Sequence, residues 1–316
     1  MSKKKKHYGI PEVENILPKT TLPIWDMHCH LDMTVHFVED IQKDVKERHP
    51  DYPEVHIPTL QELVSISQKA NVGGVIHCAC EIDDIDNISN VLDSLSAKDS
   101  NFGVLGAAAI HPNEAALHQK ITDPSPDGLV PEMQERHYKY SLEDALQITY
   151  DKIKQDNRIK IIGESGLDYF RTSERGRVAQ KNSLREHIIL AKELNLPLQL
   201  HDRLAHRDII EVLDKEGAPE IVLFHSFSGD QEFAKECIRR GFYGSFSGPL
   251  TFKNTEDLSA AFLEYWQFAP QLILSETDSP YLTAAPNRGR PNAPAFMADS
   301  IVKMSEIAGV DLLEMC

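Results

Sequence analysis

The stretch Leu22–His30, with the sequence LPIWDMHCH, joins a short apolar run to a polar end. Residues 22–28 are mostly aliphatic or aromatic and are bounded by polar residues, as in a strand buried on both faces. The end of this run supplies Asp26, His28 and His30. Because His28 and His30 are two residues apart in an extended segment, both imidazoles point to the same side. The stretch therefore predicts a buried strand that carries two histidines at one end.

Seven further apolar runs follow, and they alternate with longer amphipathic segments. The predicted strands are residues 22–28, 72–79, 102–111, 159–163, 196–201, 221–225, 242–247 and 271–276. The predicted helices are residues 59–70, 84–97, 142–156, 177–194, 205–216, 230–240, 256–269 and 295–309. Strands that alternate with helices form parallel βαβ units, and eight such units close into a barrel. The sequence therefore predicts an α/β protein with a single-domain (β/α)8 TIM-type barrel.

The barrel is expected to span residues 21–316, after an N-terminal tail of residues 1–20. Four consecutive lysines, Lys3–Lys6, lie in this tail, and no apolar segment follows them. The tail is therefore predicted to be flexible and is not a secretory signal. A nuclear-localisation or nucleic-acid-binding patch is the alternative interpretation of the lysine run.

Composition restricts the partners and the compartment. The net charge of −16 argues against broad attraction to nucleic acid or anionic membranes, so an anionic ligand would need local positive charge. Five cysteines without a second closely spaced pair indicate a reducing compartment, so we expect a cytoplasmic protein without disulfides. The chain has no apolar run of the ~18–20 residues that a membrane span needs. We expect no membrane association and no obligate protein partner.

Two segments, residues 34–58 and 113–141, are too long for simple connections. Both follow the ends of predicted strands, where barrel enzymes place the loops that shape substrate access. A plain surface insertion is an equal alternative. The histidines in or beside these segments are predicted to be surface residues: His36, His49, His56, His118 and His137.

Six of the eight predicted strands end in His, Asp or Glu. Besides residues 26–30, these ends carry His111, Glu164, His201, His225 and residues 276–278. The carboxyl ends of parallel barrel strands meet at one rim. Unpaired imidazoles and carboxylates buried there would be costly without a compensating charge. The pattern therefore predicts a divalent-metal site, in which imidazoles suit Zn, Mn, Co or Fe and carboxylates permit Mg or Mn.

The number of candidate ligands favours two ions over one. Six ligands are many for one ion that keeps an open position, whereas two ions can share a carboxylate. Glu164 is the natural bridge, because it lies near the middle of the strand order. Two ions ~3.5–4 Å apart would polarise a phosphoryl or carbonyl oxygen and generate hydroxide near neutral pH. The sequence therefore predicts a hydrolase with two divalent metal ions, which could be Mg, Mn or Zn.

Six short motifs occur in a fixed order along the chain: DMHCHLD (26–32), IHP (110–112), GESGLDY (163–169), LPLQLH (196–201), HSFSG (225–229) and ETDSPYL (276–282). Together they resemble the TatD-type metal-dependent deoxyribonucleases of the amidohydrolase superfamily, over residues 24 to about 310. The resemblance implies phosphodiester hydrolysis on DNA, single-stranded or at 3′ ends, in a 3′–5′ exonuclease-like manner. It also implies one set of ligands for each ion and a shared bridge: His28, His30 and Asp278; His201 and His225; and Glu164.

The same resemblance assigns further roles. His111 matches a family histidine that lies beside the metals and contacts the substrate phosphate, so it is predicted to bind phosphate or donate a proton. A histidine satisfied by backbone groups is the alternative. Asp278 lies close to the attacking water and could take its proton as general base. Arg203 is a candidate phosphate contact, with a surface salt bridge as the equal alternative. Asp278, Glu164 and His111 are thus the predicted catalytic residues, and His111 and Arg203 the predicted substrate-binding residues.

Neighbouring residues are expected to support the site. Asp26 and Asp168 are predicted to orient ligands, as carboxylates near metal sites commonly do. Asp278 is preferred to Glu276 as a metal ligand, and Glu276 is expected to face the core side of strand eight. Phe227 and Tyr281 could stack on a base, although packing is the commoner role of such aromatics.

Two other functions stay open. The same ligand set would serve hydrolysis of an amide, ester or aminoacyl-tRNA bond, because two-metal chemistry suits carbonyl substrates equally well. A non-catalytic binding scaffold is the third interpretation, and it predicts a missing ligand or a blocked barrel mouth.

Overall fold

The computed structural model describes residues 8–11, 22–96 and 101–316. Within these residues, eight strands form one sheet in the order β1 to β8, and every neighbouring pair is parallel. The single-domain (β/α)8 barrel is confirmed. The strands are β1 Ile24–Cys29, β2 Val72–Ala79, β3 Gly103–Ala108, β4 Ile159–Asp168, β5 Leu198–Arg203, β6 Val222–Phe224, β7 Tyr243–Phe246 and β8 Ile273–Ser275.

Helices alternate with these strands. They are α1 Leu31–Arg48, α2 Leu60–Lys69, α3 Ile82–Leu95, α4 Pro112–His118, α5 Glu135–Lys139, α6 Leu142–Gln155, α7 Glu174–Leu194, α8 His206–Glu216, α9 Gln231–Arg240, α10 Glu256–Phe268, α11 Met297–Ala308 and α12 Leu312–Met315. Helix α3 shows why they pack on the sheet. Its buried Ile82, Ile85, Ile88 and Leu92 recur every three or four residues and form one apolar stripe. Burial of each such side chain stabilises the fold by about 1.5–3 kcal/mol before the entropy cost.

The barrel closes where β1 meets the segment that follows β8. The backbone N–H of Asp278 donates to His28 O at 2.9 Å, and the N–H of His30 donates to Ser279 O at 2.8 Å. Asp278 itself has a backbone φ of +55°, in the left-handed region. Closure therefore fixes the Asp278 turn directly beside the two histidines of β1.

Strand β4 is longer than the apolar run that predicts it. It continues to Asp168, whereas the run ends at Gly163. Residues 165–168 stay in the sheet because they pair with residues 200–203 of β5. Glu164 consequently lies within a strand and not in a loop after it.

The first long segment is largely helical, and the second contains two short helices. Helix α1 occupies most of residues 34–58, and α4 and α5 lie within or beside residues 113–141. His36, His49 and His56 are exposed, as predicted. The prediction is wrong for His118 and His137, which are buried.

A polar network explains this burial. The Glu114 carboxylate accepts hydrogen bonds from His137 Nε2 at 2.8 Å and from Arg136 Nε at 2.9 Å. His118 Nδ1 donates to Tyr140 O at 3.0 Å. These bonds fold the segment after β3 back onto α4 and remove its histidines from solvent.

Residues 8–11 lie against the barrel. The Arg290 guanidinium donates to Gly9 O and Ile10 O at 2.8 Å each, and Pro11 is buried. Residues 1–7 and 12–20 of the predicted tail lie outside the described residues, so their flexibility stays a prediction.

Two expectations from composition concern cysteines and membranes. All five cysteines are free, and four of them are buried. In the part of the chain that the structure describes, no helix combines the length and apolarity that crossing a bilayer requires.

His187 makes stability depend on pH. It joins α7 to the end of β3, because its Nδ1 donates to Ser183 O and its Nε2 accepts from Ile110 N at 3.1 Å. Burial lowers the pKa of His187 to about 4. An unfolded histidine titrates near ~6.5, so between these values the unfolded chain binds a proton that the folded chain excludes. Stability is therefore lost as the pH falls through this window.

We expect this residue to account for ~2 kcal/mol of the free energy of unfolding that is lost between about pH 7 and pH 5. Denaturant titrations at the two pH values measure that loss. In His187→Gln the loss should be smaller by this amount, with the exposed His36→Gln as the matched control. Equal losses in the wild type and His187→Gln would contradict the assignment.

Candidate metal centre

The predicted ligands converge at the end of the barrel where the strands finish. Of the four groups whose ligand atoms lie within 4.8 Å of one another in the described residues, three contain the predicted ligands: His28, His30 and Glu164; His28, His225 and Asp278; and His111, Glu164 and His201. All six predicted metal ligands belong to these groups, and His111 lies beside them. Residues separated by 250 positions in the chain therefore share one site.

The first half of the site surrounds Oε1 of Glu164. This oxygen lies 3.5 Å from His28 Nε2 and 3.6 Å from His30 Nε2. Oδ1 of Asp278 lies 3.6 Å and 3.7 Å from the same two nitrogens. Two imidazoles and two carboxylates thus face a common point.

The second half surrounds the other oxygen of Glu164. Oε2 lies 3.1 Å from His201 Nδ1 and 2.6 Å from His225 Nε2, and these two nitrogens are 3.3 Å apart. The Glu164 carboxylate therefore separates two donor sets and contributes one oxygen to each.

Hydrogen bonds fix the orientation of the two histidines near β1. His28 Nδ1 donates to Gln199 Oε1 at 2.8 Å, and His30 Nδ1 donates to Cys78 O at 3.0 Å. Since both Nδ1 atoms carry the proton, both Nε2 atoms present lone pairs to the site. The sequence reasoning missed Gln199. Its position, two residues before His201 on β5, was the available signal, because alternate residues of a strand share a face.

Two carboxylates support the other histidines. Asp168 Oδ2 lies 3.3 Å from His201 Nε2, which agrees with its predicted supporting role. Glu276 Oε1 lies 3.4 Å from His225 Nδ1 and accepts the Ser226 N–H at 2.6 Å. Glu276 therefore faces the site, and the expectation that it faces the core side is wrong.

Asp26 supports the site through the backbone. Its buried carboxylate accepts the His28 N–H at 3.2 Å and the Thr277 N–H at 2.9 Å. The sequence predicts that Asp26 orients an imidazole, but its carboxylate binds backbone N–H groups instead. It holds β1 against the segment that carries Asp278.

The buried carboxylates of the cluster are stabilised by positive charge on the groups around them. Burial opposes ionisation of Glu164, but the positive charges of His225 and His28 hold its pKa well below the usual range. Burial likewise opposes protonation of His30, yet Glu164 raises its pKa to about 9. The pKa of His201 is raised to about 9 against its burial, through Asp168 and Glu164. Without another cation, protons on the histidines supply the charge.

The donor set fits divalent cations. His28 Nε2 and His30 Nε2 are 3.0 Å apart, and both Nδ1 atoms already donate elsewhere. Two facing lone pairs at this distance require a proton or a metal ion between them. Imidazole nitrogens and carboxylate oxygens are the ligands that Zn, Mn and related ions prefer.

His111 has features of both roles considered from the sequence, a histidine satisfied by the backbone and a proton donor beside the metal ligands. Its Nδ1 accepts the Asn113 N–H at 3.1 Å at the start of α4, so one nitrogen is satisfied by the backbone. Its ring centroid lies 4.8 Å from that of His201. Burial lowers the pKa of His111 to about 4, so the ring is neutral at pH 7 and its proton sits on Nε2. That N–H is free to donate to a ligand oxygen.

An open cavity of about 1100 Å³ lies over the two donor sets. Asn113 and Glu114, from residues 113–141, line it, whereas Met33 of α1 lies just before residues 34–58, so the second of the two long segments contributes to its walls. Phe227 is buried and stacks on Phe233, so packing is its main role. Tyr281 is exposed on the cavity wall.

Asp168 is expected to control the affinity of the site for metal. Asp168→Asn keeps the shape of the side chain but removes the charge that pairs with His201. Loss of such a supporting carboxylate typically weakens metal affinity by about 10–100-fold. Titration with Mn measures the affinity, and Asp208→Asn is a matched control because Asp208 contacts Tyr169 and Lys181 and no candidate ligand. Equal affinities in Asp168→Asn and the wild type would contradict the role.

A barrel whose strand ends direct imidazoles and carboxylates into one cavity has the architecture of a metal-dependent hydrolase. The family model described as TatD related DNase matches residues 25–316. An uncharacterised metal-dependent hydrolase of Escherichia coli strain K12 is 30% identical over 292 residues, which cover 92% of this chain and 90% of the relative. The chain belongs to the TatD family of metal-dependent hydrolases.

Solved structures agree on the fold. A TatD family hydrolase from Entamoeba histolytica aligns with a TM-score of 0.69 at 16% identity, over 94% of this chain and 95% of that chain. A TatD homologue from Escherichia coli K12 aligns with a TM-score of 0.67 at 20% identity, over 92% and 93% of the two chains. At these identities the likeness concerns the barrel and not the substrate.

Proposed function

We propose that the protein is a two-metal deoxyribonuclease that cleaves phosphodiester bonds in single-stranded DNA or at 3′ ends, as a 3′–5′ exonuclease does. The observation that carries this proposal is the Glu164 carboxylate, whose two oxygens face two separate donor sets. The description of the matching family model, which names a DNase, supports the choice of substrate.

The chain would hold the two ions with its two donor sets and the shared carboxylate: His28, His30 and Asp278; His201 and His225; and Glu164. Divalent ions such as Mg, Mn or Zn supply Lewis-acid polarisation of phosphoryl oxygens and lower the pKa of water. Glu164 would keep the two ions at a fixed separation.

Three residues would act on the substrate. His111 would donate its Nε2 proton to a phosphate oxygen, since its Nδ1 is occupied by a backbone N–H. Asp278 would accept the proton of the attacking water. Burial raises the pKa of Asp278 against the pull of His28, which makes the carboxylate a better base. Arg203, exposed on the cavity wall, would contact phosphate.

The proposed partner is DNA, and the proposed compartment is the cytoplasm. The net charge of −16 opposes long-range attraction of DNA, so the attraction must come from the cavity itself. Five free cysteines fit a reducing compartment.

The alternatives have less support. An amide, ester or aminoacyl-tRNA hydrolase would use the same ligands. A small substrate is best held in a closed pocket, whereas the cavity here is open and suits a polymer. A scaffold would lack a ligand or have a blocked mouth, whereas six candidate ligands lie beneath an open cavity.

The test is hydrolysis of a 3′-labelled single-stranded oligonucleotide with Mg, Mn or Zn, with and without chelator, beside a panel of small esters. We expect cleavage of DNA that the chelator abolishes. His225→Ala should lose the activity, and His36→Ala, on the exposed surface, should keep it. Ester hydrolysis without DNA cleavage would overturn the proposal in favour of the carbonyl substrates.

A further inference from the structure

The permanently positive side chains around the cavity lie on one side. Among the described residues that line it, Arg171 and Arg203 are the two with permanently positive side chains. Both lie where β4 and β5 end. Other parts of the wall carry the carboxylates of Glu81, Glu114, Asp230 and Asp257, whereas Asp168 and Asp202, on the same side as the arginines, contact His201 and His206. A polyanion held at the metal centre is therefore drawn towards the ends of β4 and β5.

Arg203 and Arg171 both lie over the ring of Phe170 on this side. The guanidinium carbon of Arg203 lies 4.2 Å from the ring centroid of Phe170, and that of Arg171 lies 5.2 Å from it. Arg171 pairs with Asp127, whereas Arg203 is exposed and has no ion pair within the described residues. Nucleobases stack on aromatic rings and on guanidinium planes. The Arg203 guanidinium, which lines the cavity and lies over the Phe170 ring, offers such a surface.

The surface is rigidly connected to the metal centre. Asp168 Oδ1 accepts the N–H groups of Phe170 at 3.0 Å and Arg171 at 2.9 Å, while Oδ2 contacts His201. The N–H of Tyr169 donates to Arg203 O at 2.9 Å and ties the two strand ends together. One carboxylate thus positions both a candidate metal ligand and the stack, so a substrate would meet a pre-formed surface.

We propose that Arg203 and Arg171, which lie over the ring of Phe170, form with it a stacking platform that binds the nucleotide next to the scissile phosphate. The inference rests on the proposed nuclease function and specifies its substrate. A base must leave its partner strand to lie on the platform, so the enzyme selects single-stranded DNA or frayed ends. Stacking uses the face of the base, which makes the selection independent of sequence.

The test compares Phe170→Leu, which keeps volume but removes the ring, with Phe170→Trp, which keeps a ring. With Mn and a single-stranded oligonucleotide, Phe170→Leu should raise KM about tenfold, because one stacked base contributes a factor of this order. The fall in kcat should be much smaller. Phe170→Trp should retain the wild-type preference for single strands over duplex, and Phe170→Leu should lose it. Phe268→Ala is the control, since Phe268 is exposed on α10, whereas Phe170 is the ring over which both cavity arginines lie.

A second readout does not depend on turnover. An oligonucleotide with 2-aminopurine at its 3′ end should lose fluorescence as it binds the wild type in stopped flow, because stacking quenches this base. Phe170→Leu should bind without the quench. If the wild type cleaves DNA and Phe170→Leu matches it in KM, strand preference and quenching, the platform is wrong and the nuclease proposal stands. If the wild type cleaves no DNA with any metal, the nuclease proposal itself fails.

Discussion

Glu164→Gln is expected to lower kcat/KM for DNA by roughly a thousandfold and to leave the purified protein without its full complement of metal. Glutamine has nearly the same shape, but its amide nitrogen cannot accept a hydrogen bond or ligate an ion. One of the two donor sets would therefore lose its bridging oxygen. The pKa of His30, which Glu164 raises to about 9 against burial, should fall as well.

Three measurements check this prediction: steady-state kinetics, elemental analysis of the bound metal, and NMR titration of the histidines. Glu193→Gln is the matched control, because Glu193 contacts Tyr150 on the helical surface and lies away from the cavity. A Glu164→Gln protein that retained the wild-type rate and two ions per chain would show that the carboxylate is not a bridge.

The order of strands and helices along the barrel could be predicted, because each strand is a short apolar run between helical segments. The local geometry of the strands could not be predicted. The apolar run of β4 ends at Gly163, and only pairing with β5 carries the strand on to Asp168. Gly166 makes that pairing close: its φ is +135°, and a Cβ there would lie 2.0 Å from His201 O. Such a contact between two strands leaves no periodic signal in either one.

The candidate ligands could be predicted because each is a polar residue at the end of an apolar strand. Their supporting residues could not, because hydrogen-bond direction is a tertiary property. In the sequence Gln199 is simply a polar residue of β5, but in the structure its side chain sets the tautomer of His28. Glu276 precedes Asp278 by two residues, and only the fold shows that it contacts His225. His137 is predicted to lie on the surface, because its carboxylate partner, Glu114, is 23 residues away and the sequence does not show that the two side chains meet.

Removal of the metal ions is expected to lower the melting temperature by roughly 5–15 °C at pH 8. Ions that bind only the folded chain stabilise it by about 3–4 kcal/mol when they are present at 100–1000 times their dissociation constant. If each of the two ions contributes this much, and the unfolding entropy is about 2.1 cal/mol/K per residue, each kcal/mol shifts the melting temperature of this 316-residue chain by about 1.5 °C. Calorimetry of the metal-loaded protein, before and after chelation, measures the difference. Glu164→Gln should respond much less to the chelator, because it has lost the shared ligand.

The size of this shift should depend on pH in a defined direction. In the metal-free protein the pKa values of His30 and His201 are raised to about 9, so both side chains carry protons at pH 7. A metal ion must displace these protons to reach the nitrogens, and its apparent affinity therefore increases as the pH rises towards 9. The melting temperature gained from metal should accordingly be larger at pH 8 than at pH 6. A gain that is the same at both values, with the metal content verified, would mean that these histidines do not bind the ions.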